Sequence, residues 1–513
     1  MKRIMKLYES CRTSIKVAFF ACVLIGIGSF IQNDNVNLFY TFKSSIILFI
    51  GEFCLRLGEF ILMNLPLIFT LNVVCKKENN SSPVIMALVG YFTFMVTTML
   101  FSSQSLDSQA YVHQYGINSI FNLGTGTRYP LETGMIGSFI VAYATRCAFI
   151  FSRHRGNYSL TNIFSKDIAG LIYNVLFCFL GGLLTSYAYP FLFNYLQKAI
   201  LFISEDLSDP LRIAIYSALD RIFSILGLGN VIRYPFWFTA LGGSSQNVAT
   251  GQSILGDVNI WTSVKNGVAN YFGAGRFITP YYVINMFIIP GIYIGTFLSI
   301  SDKKDRRVLF IPFIIATIFS IIAGNPLPME LIMLFTSPAL LFMYLFGVGV
   351  TSFLLVNRQA FLGFSYSGTN LNIALPGIFP DFIANLRDAG MSTTLTTIII
   401  IGLIALIASI FMTLFYYHII AFDFASSDNG NKIVKDIIAA VGGTANIDYA
   451  GSGILKLNIY LKNPELISIE QVQEIGPRRV YETRNGIVFE FGTSSYAIAK
   501  KINRLLKRNL VSN

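Results

Sequence analysis

Few side chains in this 513-residue chain can do chemistry at membrane depth, and they are widely spaced. Glu330 stands in a long apolar run. An ionisable group there is a functional-site candidate by default, and a carboxylate opening a helix is also favoured by the helix dipole. Arg233 stands in a second apolar run. Both sit beside Gly- and Pro-rich interruptions, Ser224–Phe238 and Ile322–Ile332, which also contain Asn230, Asn325 and Pro328. Glu52 and Arg56 are four apart with Glu59 near, the spacing of a satisfied ion pair on one helix. Nucleophiles are scarce. The six cysteines, Cys11, Cys22, Cys54, Cys75, Cys147 and Cys178, form no CxxC pair and mostly lie in apolar runs, where they read as small buried hydrophobes. His113, His154 and His418 are too scattered for metal-ligand spacing, so no metal or cofactor is expected.

The elements that must hold these residues are apolar. Hydrophobic residues make up 54% of the chain and charged residues only 13%, about half the usual quarter. The mean hydropathy is +0.60. A soluble globule cannot hide that much apolar surface, whereas a bilayer removes the need to. The net charge of +11 comes from basic residues between or beyond apolar runs, so positive-inside topology explains it better than nucleic-acid binding. Apolar stretches fall at 16–31, 43–74, 83–101, 133–152, 168–202, 280–300, 308–323, 331–356 and 394–421. The amino terminus reads as a basic cytoplasmic end entering the first span, not a cleaved leader. Lys76-Lys77, Arg153-His154-Arg155 and Lys303-Lys304-Asp305-Arg306-Arg307 mark cytoplasmic loops. Gly and Pro at membrane depth free backbone groups that must face protein or a wet cavity, and a pair of such breaks points to a transporter's substrate site.

Beyond residue 421 the composition changes. Residues 422–431 read as a polar linker and 432–510 as a soluble α+β domain. Ile433, Val434, Ile437, Ile438 and Val441 share one helical face. Leu455, Leu457, Ile459 and Leu461 alternate with polar residues as a strand does. Ser468-Ile-Glu-Gln471 is a capping box, Asn485-Gly486 a tight hairpin turn, and Ile498, Ile502 and Leu505 stripe a final helix. The expected order is helix, strand, helix, hairpin, helix.

In this setting several short motifs become recognisable. Asn64-Leu-Pro-Leu-Ile-Phe69 resembles ANLPLIF, and Thr133-Gly-Met-Ile-Gly137 resembles TGVFGG. Asp220-Arg221, Leu226-Gly-Leu-Gly-Asn230 and Tyr234-Pro-Phe236 follow ERxLxPFGLHHxxNxPF. Gly256-Asp257 with Ala274-Gly-Arg-Phe277 follows GD…AGRFMTG. Gly324-Asn-Pro-Leu-Pro-Met-Glu330 stands where GITEPIE is expected, and Ala440–Ile447 and Phe491-Gly-Thr493 resemble AxGGxxNI and FGT. In this order the chain resembles a fused enzyme IICB sugar permease of the bacterial phosphotransferase system, in the glucose–maltose–N-acetylglucosamine branch. The resemblance implies a polytopic α-helical membrane domain, residues 1–421, of about 10 spans with two re-entrant hairpins. It implies a sugar site lined by the breaks, a IIB-like domain carrying a phosphocysteine, both termini cytoplasmic in the cell membrane, and a homodimer.

The sequence departs from that pattern at both sites. The IIB motif NIxxLDACxTRLRV aligns with Asn446–Ile459, which puts the phosphocysteine position on Gly453 and the acidic position on Gly451. The two arginines become Lys456 and Asn458, and no cysteine follows Cys178. Ser452 is adjacent, but a hydroxyl without a base is a poor substitute nucleophile, and Gly453 reads as a turn before a strand. In the membrane domain the paired histidines become Gly229 and Asn230, the first Glu of GITEPIE becomes Leu327, and the nearby Asn becomes Arg233. Pro328 and Glu330 remain. Because the re-entrant segments face each other in the family, a buried Arg233–Glu330 pair is expected. The implied sugar-binding positions are Glu330, Pro328, Asn325, Asn230 and Arg233. The implied function is sugar uptake with a silent IIB site, served by a IIA or a IIB in trans. The alternatives are a degenerate permease acting as sensor or partner-binding protein, or a facilitator without phosphorylation.

Overall fold

The computed structural model describes all residues except 1, 33–44, 78–81, 103–129, 155–165, 271–272, 365–375, 386–390, 427, 476, 478, 484, 493 and 512–513. His113 lies outside the described residues.

Helices dominate, as the long apolar runs require. In chain order they are α1 (Lys2–Gln32), α2 (Ser45–Met63), α3 (Leu65–Lys77), α4 (Ser82–Phe101), α5 (Gly134–His154), α6 (Lys166–Ser204), α7 (Pro210–Ile225) and α8 (Gly229–Phe238). A small hairpin, β1 (Ser244–Gln246) and β2 (Ser253–Leu255), precedes α9 (Asp257–Lys265). Then come α10 (Thr279–Ser299), which contains a π turn at Ile284–Ile288, α11 (Lys303–Ala323), α12 (Leu327–Thr336), α13 (Pro338–Asn357), α14 (Phe379–Asn385) and α15 (Ser392–Ser426). Among the described residues, seven helices are long and apolar enough to cross a membrane. The 38-residue apolar stretch Asp167–Ser204 carries Pro190 inside its helix.

Two expected runs are each divided. The 43–74 run splits at Asn64, because Pro66 has no N–H to continue the ladder. Beside the break the Asn64 side-chain amide donates to the Phe60 carbonyl (2.8 Å), and Ser138 Oγ donates to the Pro66 carbonyl (2.7 Å). The 331–356 run splits before Pro338.

The chain forms two compact units. The first comprises Met1–Asn285, Ile322–Ile332 and Leu345–Ile401. Its centre is aromatic: Tyr216, Phe236 and Phe277 pack with ring centroids 4.6–4.9 Å apart, and Trp237 Nε1 donates to the Tyr216 hydroxyl (3.1 Å). The GD and AGRF motifs meet here, since Asp257 Oδ1 accepts the Gly275 N–H at 2.8 Å.

The second unit comprises Met286–Ile321, Met333–Tyr344 and Gly402–Asn513. Its C-terminal part holds α16 (Asp428–Ala440), β3 (Ile447–Ser452), β4 (Lys456–Leu461), α17 (Ile469–Glu474), β5 (Val480–Thr483), β6 (Gly486–Glu490) and α18 (Ser494–Val511). The strands form one antiparallel sheet in the order β3-β4-β6-β5. Val434, Ile437, Leu457, Ile459, Phe489, Ile498 and Ile502 pack into its core, the faces expected from the sequence. Two details differ from expectation. The linker residues 422–431 are helical apart from undescribed Ser427, belonging to α15 and α16. Strand β3 was not expected as a strand: its burial does not alternate, and a register shift lies between Ile447 and Tyr449.

Candidate functional site

The first break follows from Gly227, whose φ of 74° ends α7 in the left-handed region. The Leu228 N–H reaches back to the Phe223 carbonyl (2.7 Å), a Schellman-type closure. The freed Leu226 carbonyl accepts the Met135 N–H at the start of α5 (2.9 Å). The released backbone group is therefore met by protein. The second break uses Gly324 (φ 59°) between α11 and α12. Asn325 Oδ1 accepts the Leu327 N–H (3.0 Å), opening α12 as an N-cap does. Pro328 follows within the first turn, where a missing N–H costs no helical bond.

These breaks aim charged side chains at one another. Asp220 and Arg221 project from the last turns of α7, Arg233 from α8 and Glu330 from the first turn of α12. All four are at most 2% exposed. Arg221 Nη2 and Arg233 Nε both donate to Asp220, each at 2.8 Å, and Arg221 Nη1 lies 3.4 Å from Glu330 Oε1. Ser224 Oγ accepts from Arg233 Nη2 (2.7 Å) and Arg221 Nη2 (3.1 Å). Tyr281 donates its hydroxyl to Asp220 and lies against both guanidinium groups, 4.8 and 5.6 Å from its ring centre.

The expected direct Arg233–Glu330 pair is thus replaced, among the described ion pairs, by two linked pairs: Glu330 takes Arg221, and Arg233 takes Asp220. Asp220 wins Arg233 because its helix ends at the Gly227 turn from which α8 starts. The nearest partner is then across one turn.

Asn230 is buried in the first turn of α8 beside this network. Gly229 leaves room for Arg233: a Cβ there would lie 3.3 Å from both the Arg233 guanidinium carbon and Ser224 Oγ. Sequence reasoning read Arg233 and Glu330 but missed Ser224 and Tyr281 and used Asp220-Arg221 only as a motif. The available signal was charge balance, two bases and two acids in apolar surroundings. Elsewhere, Arg56 lies 3.9 Å from exposed Glu52 and 3.3 Å from buried Glu59 on α2, the local pairing expected.

In the C-terminal part, Gly453 lies in the β3–β4 turn, its N–H donating to the Lys456 carbonyl (2.8 Å). This is the turn before a strand expected from sequence. Ser452 is fully buried. Asn458, on β4 beside the turn, donates from its amide to Asp305 Oδ2 (3.1 Å). Burial raises the Asp305 carboxyl above its ordinary value, opposed by the Asn458 hydrogen bond and by Lys456. Sequence reasoning took Asp305 only as part of a basic loop.

Comparison with known proteins places this geometry. The description "Phosphotransferase system, EIIC" matches residues 12–349, about two thirds of the chain and all of both breaks. Among similar proteins, the glucose-specific EIICBA component of Staphylococcus carnosus is 23% identical over 510 residues, covering 96% of this chain and 71% of the relative. That of Staphylococcus saprophyticus is 23% identical over 505 residues, covering 95% and 70%. The chain therefore belongs to the phosphotransferase system EIIC family of membrane proteins.

Proposed function

We propose that this protein is a sugar permease of the phosphotransferase type, acting in the cytoplasmic membrane, whose own IIB-like domain does not carry phosphoryl. The observation that carries this reading is Gly453. It stands at the phosphocysteine position, and no cysteine occurs anywhere after Cys178. Phosphoryl carriage needs a nucleophile, and a glycine offers none. The membrane domain spans 1–421 with about 10 crossings, including shorter or charge-bearing helices such as α2 and α11 and two re-entrant segments at the breaks. The linker is 422–431, the IIB-like domain 432–510, both termini are cytoplasmic, and the permease is a homodimer in lipid. Glu330, Pro328, Asn325, Asn230 and Arg233 line the sugar position. The relatives are named glucose-specific, so a glucose-like sugar is the substrate, with a IIA or a IIB acting in trans.

Uptake of radiolabelled glucose into vesicles, with and without phosphoryl donors and a separate IIB domain, tests this. Accumulation of sugar phosphate only when the separate IIB is present supports it. Sugar phosphate without that IIB contradicts it. A second reading, a degenerate permease acting as sensor or unphosphorylated facilitator, is favoured by one observation: the charges at the breaks satisfy each other instead of facing an open site. Saturable binding or equilibration without any sugar phosphate, even with IIB supplied, would support it.

A further inference from the structure

One face of the β3–β4 hairpin is covered by the chain itself. Within the second unit it sits on residues 301–305, the segment that leads from α10 into α11. The Ser301 and Asp302 N–H groups both donate to the Ser452 carbonyl (3.1 Å each), and the Ser452 N–H donates to Ser301 Oγ (2.9 Å). Asp302 divides its carboxylate. Oδ1 accepts the Asp305 N–H (2.8 Å) as the N-cap of α11, and Oδ2 accepts the Tyr460 hydroxyl (2.9 Å). Asp305, three residues on and favoured by the same helix terminus, takes the Asn458 amide.

The two glycines explain why this fit exists. Neither Gly451 nor Gly453 has a positive φ, so neither is needed for backbone freedom. Both are needed for space. A Cβ on Gly451 would overlap the Asp302 carboxylate, and a Cβ on Gly453 would overlap that of Asp305. Those carboxylates cannot simply swing away, because Tyr460 and Asn458 hold them. The anion of Asp305 thus stands where a side chain at position 453 would begin. A second contact secures the same part: the Tyr496 ring of α18 meets Tyr417 of α15 at 5.8 Å.

We propose that the β3–β4 face, where the lost phosphoryl group would have been carried, is a fixed docking surface for the Ser301–Asp305 segment of the same chain. This rests on the reading that the IIB-like site is chemically silent. The domain is a standing clamp on the start of α11, and no phosphotransferase partner reaches that face while it is docked.

The test uses full-length protein in vesicles. Ser301→Cys with Ser452→Cys replaces two hydroxyls 2.8 Å apart, a spacing suited to a disulfide. Ser301→Cys with Glu482→Cys, on the far sheet edge, is the control. Peptide mapping follows disulfide formation under mild oxidation. Docking predicts that the first pair closes at least about tenfold faster than the control, which only tethering brings together. Gly453→Ala should slow the first pair, and Asp305→Ala added to it should restore much of the rate. Equal rates for test and control, or no effect of Gly453→Ala, would overturn the proposal. The same vesicles are exposed to phosphorylated donor protein. Phosphate on the domain with fast cross-linking overturns the lost-chemistry reading and the exclusion of donors but leaves the docked contact standing, whereas slow cross-linking without phosphate overturns the docking alone.

Discussion

Asp220, Arg221, Arg233 and Glu330 bring two negative and two positive charges into a space from which water is almost excluded. Such a set is tolerable only if its members neutralise and hydrogen-bond one another, and removing one strands the rest. Asp220→Ala should therefore lower stability by about 3–5 kcal/mol, read as a large loss of thermal stability in detergent. Exchanging partners separates the observed pairing from the one expected by sequence. Arg221→Glu with Glu330→Arg should recover part of what either single change loses. Both swaps set a new carboxylate against Asp220, but Arg233→Glu with Glu330→Arg should recover none of the loss, since positions 233 and 330 form no ion pair among the described residues. Arg233 and Glu330 were legible because each interrupts an apolar run. Their partners were not, because sequence spacing says nothing about charges 109 residues apart, such as Arg221 and Glu330. Gly229 belongs to the same account. Gly229→His would push Arg233 from Ser224 and Asp220, and its melting temperature should fall toward that of Arg233→Ala.

At the scale of elements, helices end where their caps are. Asp302 opens α11, so Asp302→Ala should cost about 0.5–2 kcal/mol from the lost cap alone, and it also removes the acceptor of the Tyr460 hydroxyl. Asp305 adds a pH dependence. Its raised carboxyl pKa means the folded state holds the proton more tightly, so its contribution is full below the ordinary value and is lost as pH rises through the raised one. Asp305→Asn has no such titration. Its thermal stability relative to wild type should improve as pH rises above about 4, and a constant difference would contradict the shift. Apolar runs and Gly-Pro interruptions made the long helices and both breaks readable. Strand β3 was not readable, because Ile447-Asp-Tyr-Ala-Gly-Ser452 lacks alternation and is defined by pairing to β4. Nor was the 301–305 contact, since two acids in a basic loop look like surface charge until the hairpin is set on them.

For the whole molecule, membership of the EIIC family and the helical membrane architecture were both legible from motif order. The proposed loss of IIB chemistry rests on one position, Gly453, and a missing residue type. The central proposal is that the C-terminal domain does not receive phosphoryl. The most direct measurement is the intact mass of full-length protein, in vesicles, after incubation with excess phosphorylated donor components, followed by peptide mapping of residues 432–510. The account predicts no added phosphate on that segment, while a separate active IIB domain in the same tube is labelled. A stable phosphate on any residue of the segment, Ser452 above all, would contradict it.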